Sequence, residues 1–216
     1  MKLERKGILL CLVGPAGSGK TYLGESLIAA EKGGIKYSVS VTTRPPRPNE
    51  IDGVHYHFVT RAEFERKIAD NALFEWEEVH GNLYGTPLQT IKDAVAKGED
   101  LLMDLDINGA FTMKRQFADS AVLVFLVPPN VDILLSRLRG REGTTEDELN
   151  KRLATTRAEY DAVKKSVADG SSLVDYLLVN DQIDDAFGTL SSIMRAERAR
   201  MARFSEGAIA QLCSLE

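Results

Sequence analysis

The stretch Gly14-Pro15-Ala16-Gly17-Ser18-Gly19-Lys20-Thr21 fits the pattern G-x-x-x-x-G-K-[ST] of a phosphate-binding loop. Its glycines allow backbone N–H groups to converge on an anion without interference from Cβ atoms. The apolar run Ile8–Val13 precedes the loop and a helical pattern over 20–32 follows it, so the loop opens a helix whose N-terminus favours negative charge. This order predicts a nucleotide site in which Lys20 reaches the β- and γ-phosphates and Thr21 binds Mg²⁺.

Outward from the loop, short apolar runs alternate with helical patterns. The apolar runs predict buried strands at Leu101–Leu105, Val122–Val127 and Tyr176–Val179. The helical patterns cover 87–98, 107–117, 146–167 and 182–204, with Asp181 as the expected N-cap of the last helix. Near-continuous apolar strands separated by helices predict an α/β fold, in which helices flank a parallel sheet on both faces.

Two stretches interrupt this alternation. Residues 36–86 alternate in strand fashion over 36–41 and 55–59, and they predict an inserted β-rich lobe with Trp76 in its core. Within the lobe, Thr60 and Glu63 have the spacing of a helix capping box. Residues 137–152 are rich in charge and poor in apolar anchors, which is typical of a mobile lid.

We therefore predict a single domain over 1–216. Its expected parts are a core of 1–35, 87–136 and 153–204, a lobe of 36–86, a lid of 137–152 and a C-terminal extension of 205–216. The sequence leaves open whether the residues after 197 pack on the body of the chain or on a second subunit of a homo-oligomer.

The composition excludes several classes of protein. The 216 residues include 27 Lys or Arg and 32 Asp or Glu, which gives a formal net charge of −5. Such a mildly acidic chain is a poor general binder of nucleic acid. Cys11 and Cys213 do not make a disulfide framework, and no apolar run approaches the roughly 18 residues of a membrane span. We expect a cytoplasmic protein with neither a nucleic-acid nor a membrane partner.

Residues 38–86 contain three further motifs. These are Ser38-Val39-Ser40-Val41-Thr42-Thr43-Arg44-Pro45-Pro46-Arg47-Pro48, Asp52-Gly53-Val54-His55-Tyr56-His57-Phe58 and Gly81-Asn82-Leu83-Tyr84-Gly85-Thr86. Beside the phosphate-binding loop, they resemble the guanylate kinase family over about 7–197. The resemblance implies a P-loop NTPase fold with a GMP-binding lobe and a short lid. It also implies ATP and GMP as substrates, Mg²⁺ as the cofactor and phosphoryl transfer as the reaction.

The acceptor phosphate is expected in the lobe. Arg44 and Arg47 lie three residues apart, and the intervening prolines restrict the backbone. Two guanidinium groups suit a dianionic monophosphate, and Tyr56 and Tyr84 add neutral O–H donors. The resemblance implies that these four residues and Ser40 hold GMP, and that Arg44 also takes part in catalysis.

The guanine base is expected at Glu75. Its carboxylate can accept from both N1–H and the N2 amino group of guanine, whereas adenine presents an acceptor at N1. Thr86 can donate to the guanine O6 atom. The resemblance implies a GMP-binding role for both residues.

Two carboxylates follow the apolar run that begins at Leu101. Asp104 and Asp106 close the predicted strand Leu101–Leu105, so as residues i and i+2 they point to one face, at a strand end that borders the ligand crevice. We expect Asp104 to contact the guanine amino group and Asp106 to hold Mg²⁺ through water, although the division of roles between them stays open.

The predicted lid carries arginines. Arg137, Arg141 and Arg152 match the family's lid arginines, and with Lys20 they are expected to stabilise the charge of the transferring phosphoryl group. Glu142 is an extra residue relative to the family's usual Gly-Arg-Gly-Thr turn. The resemblance further implies that Asn180 packs near the ATP adenine, while the phosphate-binding loop holds the ATP phosphates.

Two alternatives remain to be weighed. Guanylate-kinase-like domains of scaffold proteins bind peptides without catalysis, but their phosphate-binding loops are degraded, whereas Gly19-Lys20-Thr21 is intact here. A kinase for another small phosphorylated acceptor, such as a sugar phosphate, would not need Glu75 or the run Gly81–Thr86. The sequence therefore favours a kinase that acts on GMP.

Overall fold

The computed structural model describes residues 4–140 and 145–213, and these form two β-sheets surrounded by helices. The strands are β1 Leu9–Val13, β2 Ile35–Tyr37, β3 Ser40–Thr42, β4 Tyr56–Phe58, β5 Leu73–Val79, β6 Asn82–Pro87, β7 Asp100–Met103, β8 Ala121–Val127 and β9 Tyr176–Val179. The helices are α1 Lys20–Ala30, α2 Arg61–Ala69, α3 Leu88–Lys97, α4 Ile107–Gln116, α5 Val131–Arg139, α6 Glu146–Ala168, α7 Ile183–Arg198 and α8 Glu206–Cys213, with a 3₁₀ turn at Met201–Arg203.

The larger sheet has five parallel strands in the order β2-β7-β1-β8-β9. Both of its faces are buried. Leu9, Cys11 and Val13 of β1 pack in one apolar cluster with residues of α3 and α4, while Leu10 and Leu12 pack in another with residues of α1 and α7. Burial on both faces explains why the strand sequences are apolar without interruption. The predicted parallel sheet flanked by helices is confirmed.

The smaller sheet has the order β4-β3-β6-β5 and packs on α2 through Phe64. The continuous strand predicted over 36–41 is wrong, because β2 pairs with β7 in the larger sheet and β3 pairs with β4 and β6 in the smaller one. Trp76 does not lie in the core, since half of its surface is exposed. Val41, Phe64 and Leu83 form that core instead.

The helix ends partly follow the sequence signals. The capping box at the start of α2 is confirmed, because Glu63 N–H donates to Thr60 Oγ1 at 3.3 Å and Thr60 N–H donates to Glu63 Oε2 at 2.8 Å. The prediction that Asp181 caps the last long helix is wrong. Gln182 occupies that position without a side-chain hydrogen bond, and α7 ends at Arg198 rather than near residue 204.

The described part of the predicted lid is helical. Residues 137–139 complete α5, a helix that sequence reasoning did not predict, and Thr145 Oγ1 accepts from Glu148 N–H at the start of α6. Arg141 and Glu142 lie outside the described residues. The mobility of this segment stays a prediction.

The segment after α7 packs on the body of its own chain. Arg203 is buried, and its guanidinium donates to Glu197 Oε2 and to the carbonyl oxygen of Asp119, the latter at 2.7 Å. Lys6 N–H also donates to the carbonyl oxygen of Arg203 at 2.8 Å. Among the helices of the described ranges, none has both the length and the apolar character needed to cross a membrane.

Substitution of Arg203 by alanine should lower the free energy of unfolding by about 3–5 kcal/mol, because Glu197 would stay buried without its main partner. Urea unfolding followed by circular dichroism measures this change. Arg200→Ala is the matched control, since Arg200 approaches the same carboxylate at 3.6 Å from an exposed position and should contribute less than about 1 kcal/mol. Equal losses in the two variants would contradict a stabilising role for the buried pair.

Candidate active site

The phosphate-binding loop connects β1 to α1 in a backbone conformation that requires glycine. Gly14 has φ of 134°, and a Cβ atom there would collide with the carbonyl oxygen of Leu126. Gly19 has φ of 101°, and a Cβ atom there would collide with Asn180 Nδ2. Both positions combine positive φ with close packing, so the loop can adopt this path only with glycine.

Lys20 begins α1 and folds back over the loop. Its Nζ atom donates to the carbonyl oxygens of Gly14 and Pro15, the latter at 3.1 Å. The side chain of Thr21 is exposed in the same first helical turn. The two residues that sequence reasoning assigned to phosphate and metal therefore lie together at the N-terminus of α1, which favours anions.

Asn180 holds the loop from the end of β9. Its side chain is buried, and Nδ2 donates to the carbonyl oxygen of Ser18 at 2.7 Å. Its backbone N–H donates to the carbonyl oxygen of Val127, and its own carbonyl oxygen accepts from Arg137 Nη2 at 3.2 Å. The structure thus gives Asn180 a role in shaping the loop, while contact with adenine stays a prediction.

A cleft of about 620 Å³ opens between the smaller sheet and the edge of the larger one, a volume suited to a small-molecule ligand. Seven of the predicted site residues line it: Ser40, Tyr56, Glu75, Tyr84, Thr86, Asp104 and Asp106. Five come from the smaller sheet and two from the segment between β7 and α4, so the fold brings together residues that are far apart in sequence.

Arg44 is held in place by Glu50, a residue that sequence reasoning missed. Its Nη2 and Nη1 atoms donate to the two carboxylate oxygens of Glu50 at 2.8 and 2.9 Å, and its guanidinium carbon lies 5.5 Å from the centroid of the Tyr56 ring. The backbone N–H of Arg47 also donates to Glu50, at 2.7 Å. These hydrogen bonds, that of Arg44 first, lower the pKa of Glu50 to about 2. Arg47 itself has an exposed side chain.

Glu75 projects from β5 toward the start of α4. Its Oε2 atom touches Gly109 where any larger residue would place a Cβ atom, and Thr86 Oγ1 lies 3.5 Å from Oε1. Burial, followed by the charges of Asp106 and Glu77, raises the pKa of Glu75 to about 7. A carboxylate in this setting gains from a ligand that donates hydrogen bonds to it.

Asp104 and Asp106 do not belong to a strand, so the argument that places them on one strand face is wrong. The strand β7 ends at Met103, and Asp106 is the N-cap of α4, where its Oδ1 atom accepts from Gly109 N–H at 2.7 Å. The strand ends where its pairing with β1 and β2 ends. Both carboxylates nevertheless line the cleft.

The helix α6 contributes two ionisable residues near the phosphate-binding loop. Arg152, predicted as a lid arginine, has Nη1 buried, and Glu159, which sequence reasoning missed, has Oε2 buried. Neither atom has a hydrogen-bond partner among the described residues. The predicted lid arginines are Arg137, Arg141 and Arg152, and of these Arg141 lies outside the described residues.

A family model described as guanylate kinase matches residues 6–197. The chain belongs to the guanylate kinase family. It is 41% identical over 203 residues to a guanylate kinase of Rhizobium etli, covering 94% of this chain and 88% of that protein. It is 40% identical over 200 residues to one of Desulfitobacterium hafniense, covering 93% and 95%. A solved guanylate kinase structure from Anaplasma phagocytophilum matches 99% of both chains, with 29% identity and a TM-score of 0.67.

The family assignment agrees with the resemblance seen in the motifs of residues 38–86. It places the phosphate-binding loop and the cleft in one guanylate kinase fold. The positions of the individual site residues in the fold support the roles that are proposed for them below.

The pKa of Glu75 near 7 leads to a prediction for guanosine, which carries no phosphate to titrate. Only the ionised carboxylate accepts from both guanine donors, so binding should be strongest above pH 7, where Glu75 is ionised without ligand. At pH 6 the affinity should be about tenfold lower, because protonation then competes with binding. Calorimetry between pH 5.5 and 8 measures this.

The control for this prediction is Glu75→Gln. The variant should bind guanosine weakly at every pH, without an inflection near 7. An unchanged wild-type affinity from pH 5.5 to 8 would show that Glu75 does not bind the base.

Proposed function

We propose that this protein transfers the γ-phosphoryl group of ATP to GMP, which gives ADP and GDP. One observation carries the proposal: the phosphate-binding loop opens at the same edge of the parallel sheet as the cleft lined by Glu75, Thr86 and Asp104. Membership of the guanylate kinase family supports the same reaction.

On the acceptor side, the cleft has one end for the base and one for the phosphate. Glu75 and Asp104 accept from the N1–H and N2 amino groups of guanine, and Thr86 donates to O6. Arg44, oriented by Glu50, is a donor for the GMP phosphate. Arg47, Ser40, Tyr56 and Tyr84 complete this end.

On the donor side, the loop from Gly14 to Thr21 binds the ATP phosphates through its backbone N–H groups. Lys20 now donates to two loop carbonyl oxygens, and the β- and γ-phosphates replace these as acceptors. A charge-assisted bond to phosphate is stronger than one to a neutral carbonyl, so ATP draws Lys20 onto the transferring group.

The residues present fit a Mg²⁺ ion that arrives with ATP. No group of three or more His, Cys, Asp or Glu side chains able to hold a metal occurs in residues 4–140 and 145–213. Mg²⁺ does not need such a cage, because it keeps several waters and takes one or two protein ligands besides phosphate oxygens. Thr21 would bind it directly and Asp106 through water, and the ion would supply neutralising charge at the phosphates.

Arg137 and Arg152 stabilise the equatorial oxygens during transfer. Arg137 lies at the end of α5 beside the phosphate-binding loop, and Arg152 lies on α6. We propose that Arg141 joins them when the lid of 137–152 closes, and that closure excludes water as a competing acceptor.

We also infer a cytoplasmic location and no nucleic-acid or membrane partner. The net charge of −5 supports the absence of a nucleic-acid partner. The two nucleotide substrates and the bacterial guanylate kinases among the relatives support the cytoplasm.

The function is tested by offering ATP and Mg²⁺ with GMP, AMP, UMP or ribose 5-phosphate, while ADP release is followed in a coupled assay. We expect kcat/KM for GMP to exceed that for each other acceptor by about 10⁴-fold. A buried polar side chain that hydrogen-bonds the base discriminates strongly against acceptors that lack the matching groups. A preference for ribose 5-phosphate would indicate a sugar-phosphate kinase, and no turnover with any acceptor would indicate a binding domain.

Lys20→Ala should lower kcat by about 10²–10³-fold, the loss seen when one donor to a developing negative charge is removed. The fold should persist, since Lys20 is only partly buried. Lys92→Ala, in an exposed position on α3, is the control and should retain full activity. A Lys20→Ala variant with more than half of the wild-type rate would contradict the assignment of the loop.

A further inference from the structure

The face of α6 that turns inward changes from apolar to polar along the helix. Ala162 and Val163 pack against the apolar cluster of the larger sheet. Toward the N-terminus, the same face carries Arg152, Thr156 and Glu159, at positions i, i+4 and i+7. Each of these three has a buried polar atom without a hydrogen-bond partner among the described residues: Nη1, Oγ1 and Oε2, respectively.

Beside this polar face, Leu149 and Leu153 of α6 share an apolar cluster with Ala16 of the phosphate-binding loop. The ring of Tyr160, the residue after Glu159, meets the ring of Phe125 edge-on with 5.4 Å between centroids. Phe125 is the register partner of Val13, which directly precedes Gly14. The charges that act on Glu159 are those of Lys20 and Asp106, and burial raises its pKa despite the opposing effect of Lys20.

The loop contributes an orphaned polar atom of its own. Ser18 is fully buried, and its Oγ atom has no partner among the described residues. Buried polar atoms are nearly always paired in native proteins, so each exception asks for an explanation. A ligand bound at the loop would supply partners for orphaned atoms on both elements.

We propose that Glu159 is a positioning residue for the metal ion that accompanies the nucleotide. Its carboxylate would accept hydrogen bonds from water bound to Mg²⁺. The inference rests on the proposed function, since the metal arrives with ATP. Of the three orphaned residues on α6, only Glu159 carries a negative charge, and water polarised by Mg²⁺ donates most strongly to a carboxylate.

The test measures metal binding rather than turnover. Mn²⁺ binding to the enzyme–ADP complex is followed by electron paramagnetic resonance, and ADP affinity is measured by calorimetry with and without Mg²⁺. Glu159→Gln should weaken Mn²⁺ binding about tenfold, the lower end of losses for groups that hold a metal's ligands. ADP affinity without metal should stay unchanged, and the gain in ADP affinity on adding Mg²⁺ should shrink by the same factor.

Two further variants complete the test. Asp161→Asn removes the same charge from an exposed position two residues along α6 and should match the wild type. Glu159→Asp keeps the charge on a shorter side chain and should bind Mn²⁺ with intermediate affinity, which also covers the case that Glu159→Gln fails to fold.

Some outcomes would overturn the inference. A Glu159→Gln variant that binds Mn²⁺ as tightly as the wild type would contradict the inference. A loss of ADP affinity that is equal with and without metal would also contradict it, because Glu159 would then act on Lys20 or the loop. If the wild-type enzyme–ADP complex bound Mn²⁺ no more tightly than ADP alone does, the proposed metal site itself would fail. If the wild-type enzyme–ADP complex bound Mn²⁺ more tightly than ADP alone does, and Glu159→Gln bound it equally tightly, only the role of Glu159 would be overturned.

Discussion

Parallel pairing in the five-stranded sheet is the constraint on which the active site depends. All five strands run the same way, so the loops after β1, β7 and β9 leave from one edge and meet there. The phosphate-binding loop, Asp104 and Asp106, and Asn180 occupy these three loops. The hydrogen bond from Asn180 Nδ2 to the carbonyl oxygen of Ser18 joins residues 162 positions apart, and it fixes the loop shape to the far end of the chain.

In the proposed binding mode, charges of opposite sign in and beside the cleft orient GMP. Carboxylates crowd the proposed base end, where burial, followed by repulsion from Asp106 and Glu77, raises the pKa of Glu75 to about 7. At the phosphate end Arg44 is partly neutralised by Glu50, yet its Nε–H and one Nη2–H are not used in that pairing. A ligand with donors on its base and a dianion at its other end therefore enters in one direction, and the reverse orientation would place phosphate against carboxylates.

Features set by a few neighbouring residues could be predicted from the sequence, and features set by distant pairing could not. The phosphate-binding loop, the capping box of Thr60 and Glu63, and the positions of the apolar strands along the chain all follow from local patterns. Asp106 directly precedes the helical pattern of 107–117, where aspartate is a common N-cap, but the end of β7 depends on where its pairing with β1 and β2 stops, which no local pattern shows. Glu50 and Glu159 carry no signal of their own, because an acidic residue in a turn or on a charged helix is indistinguishable from a solvated one until its neighbours are known.

Buried charged residues differ in whether their polar atoms have hydrogen-bond partners, and this difference separates structural from functional residues. Asp100 is fully buried and accepts from Arg5, from Arg198 and from one backbone N–H, and Arg203 is paired with Glu197 and with backbone carbonyl oxygens. Such completeness offsets the large cost of desolvation. Glu159 has a buried oxygen without any such partner in the described part of the chain, and the charge of Lys20 acts on it. The buried charges of Asp100 and Arg203 are paired, whereas buried atoms of Glu159 and Arg152 have no hydrogen-bond partner among the described residues, and this contrast, rather than acidity or burial alone, supports the proposed place of Glu159 in the active site.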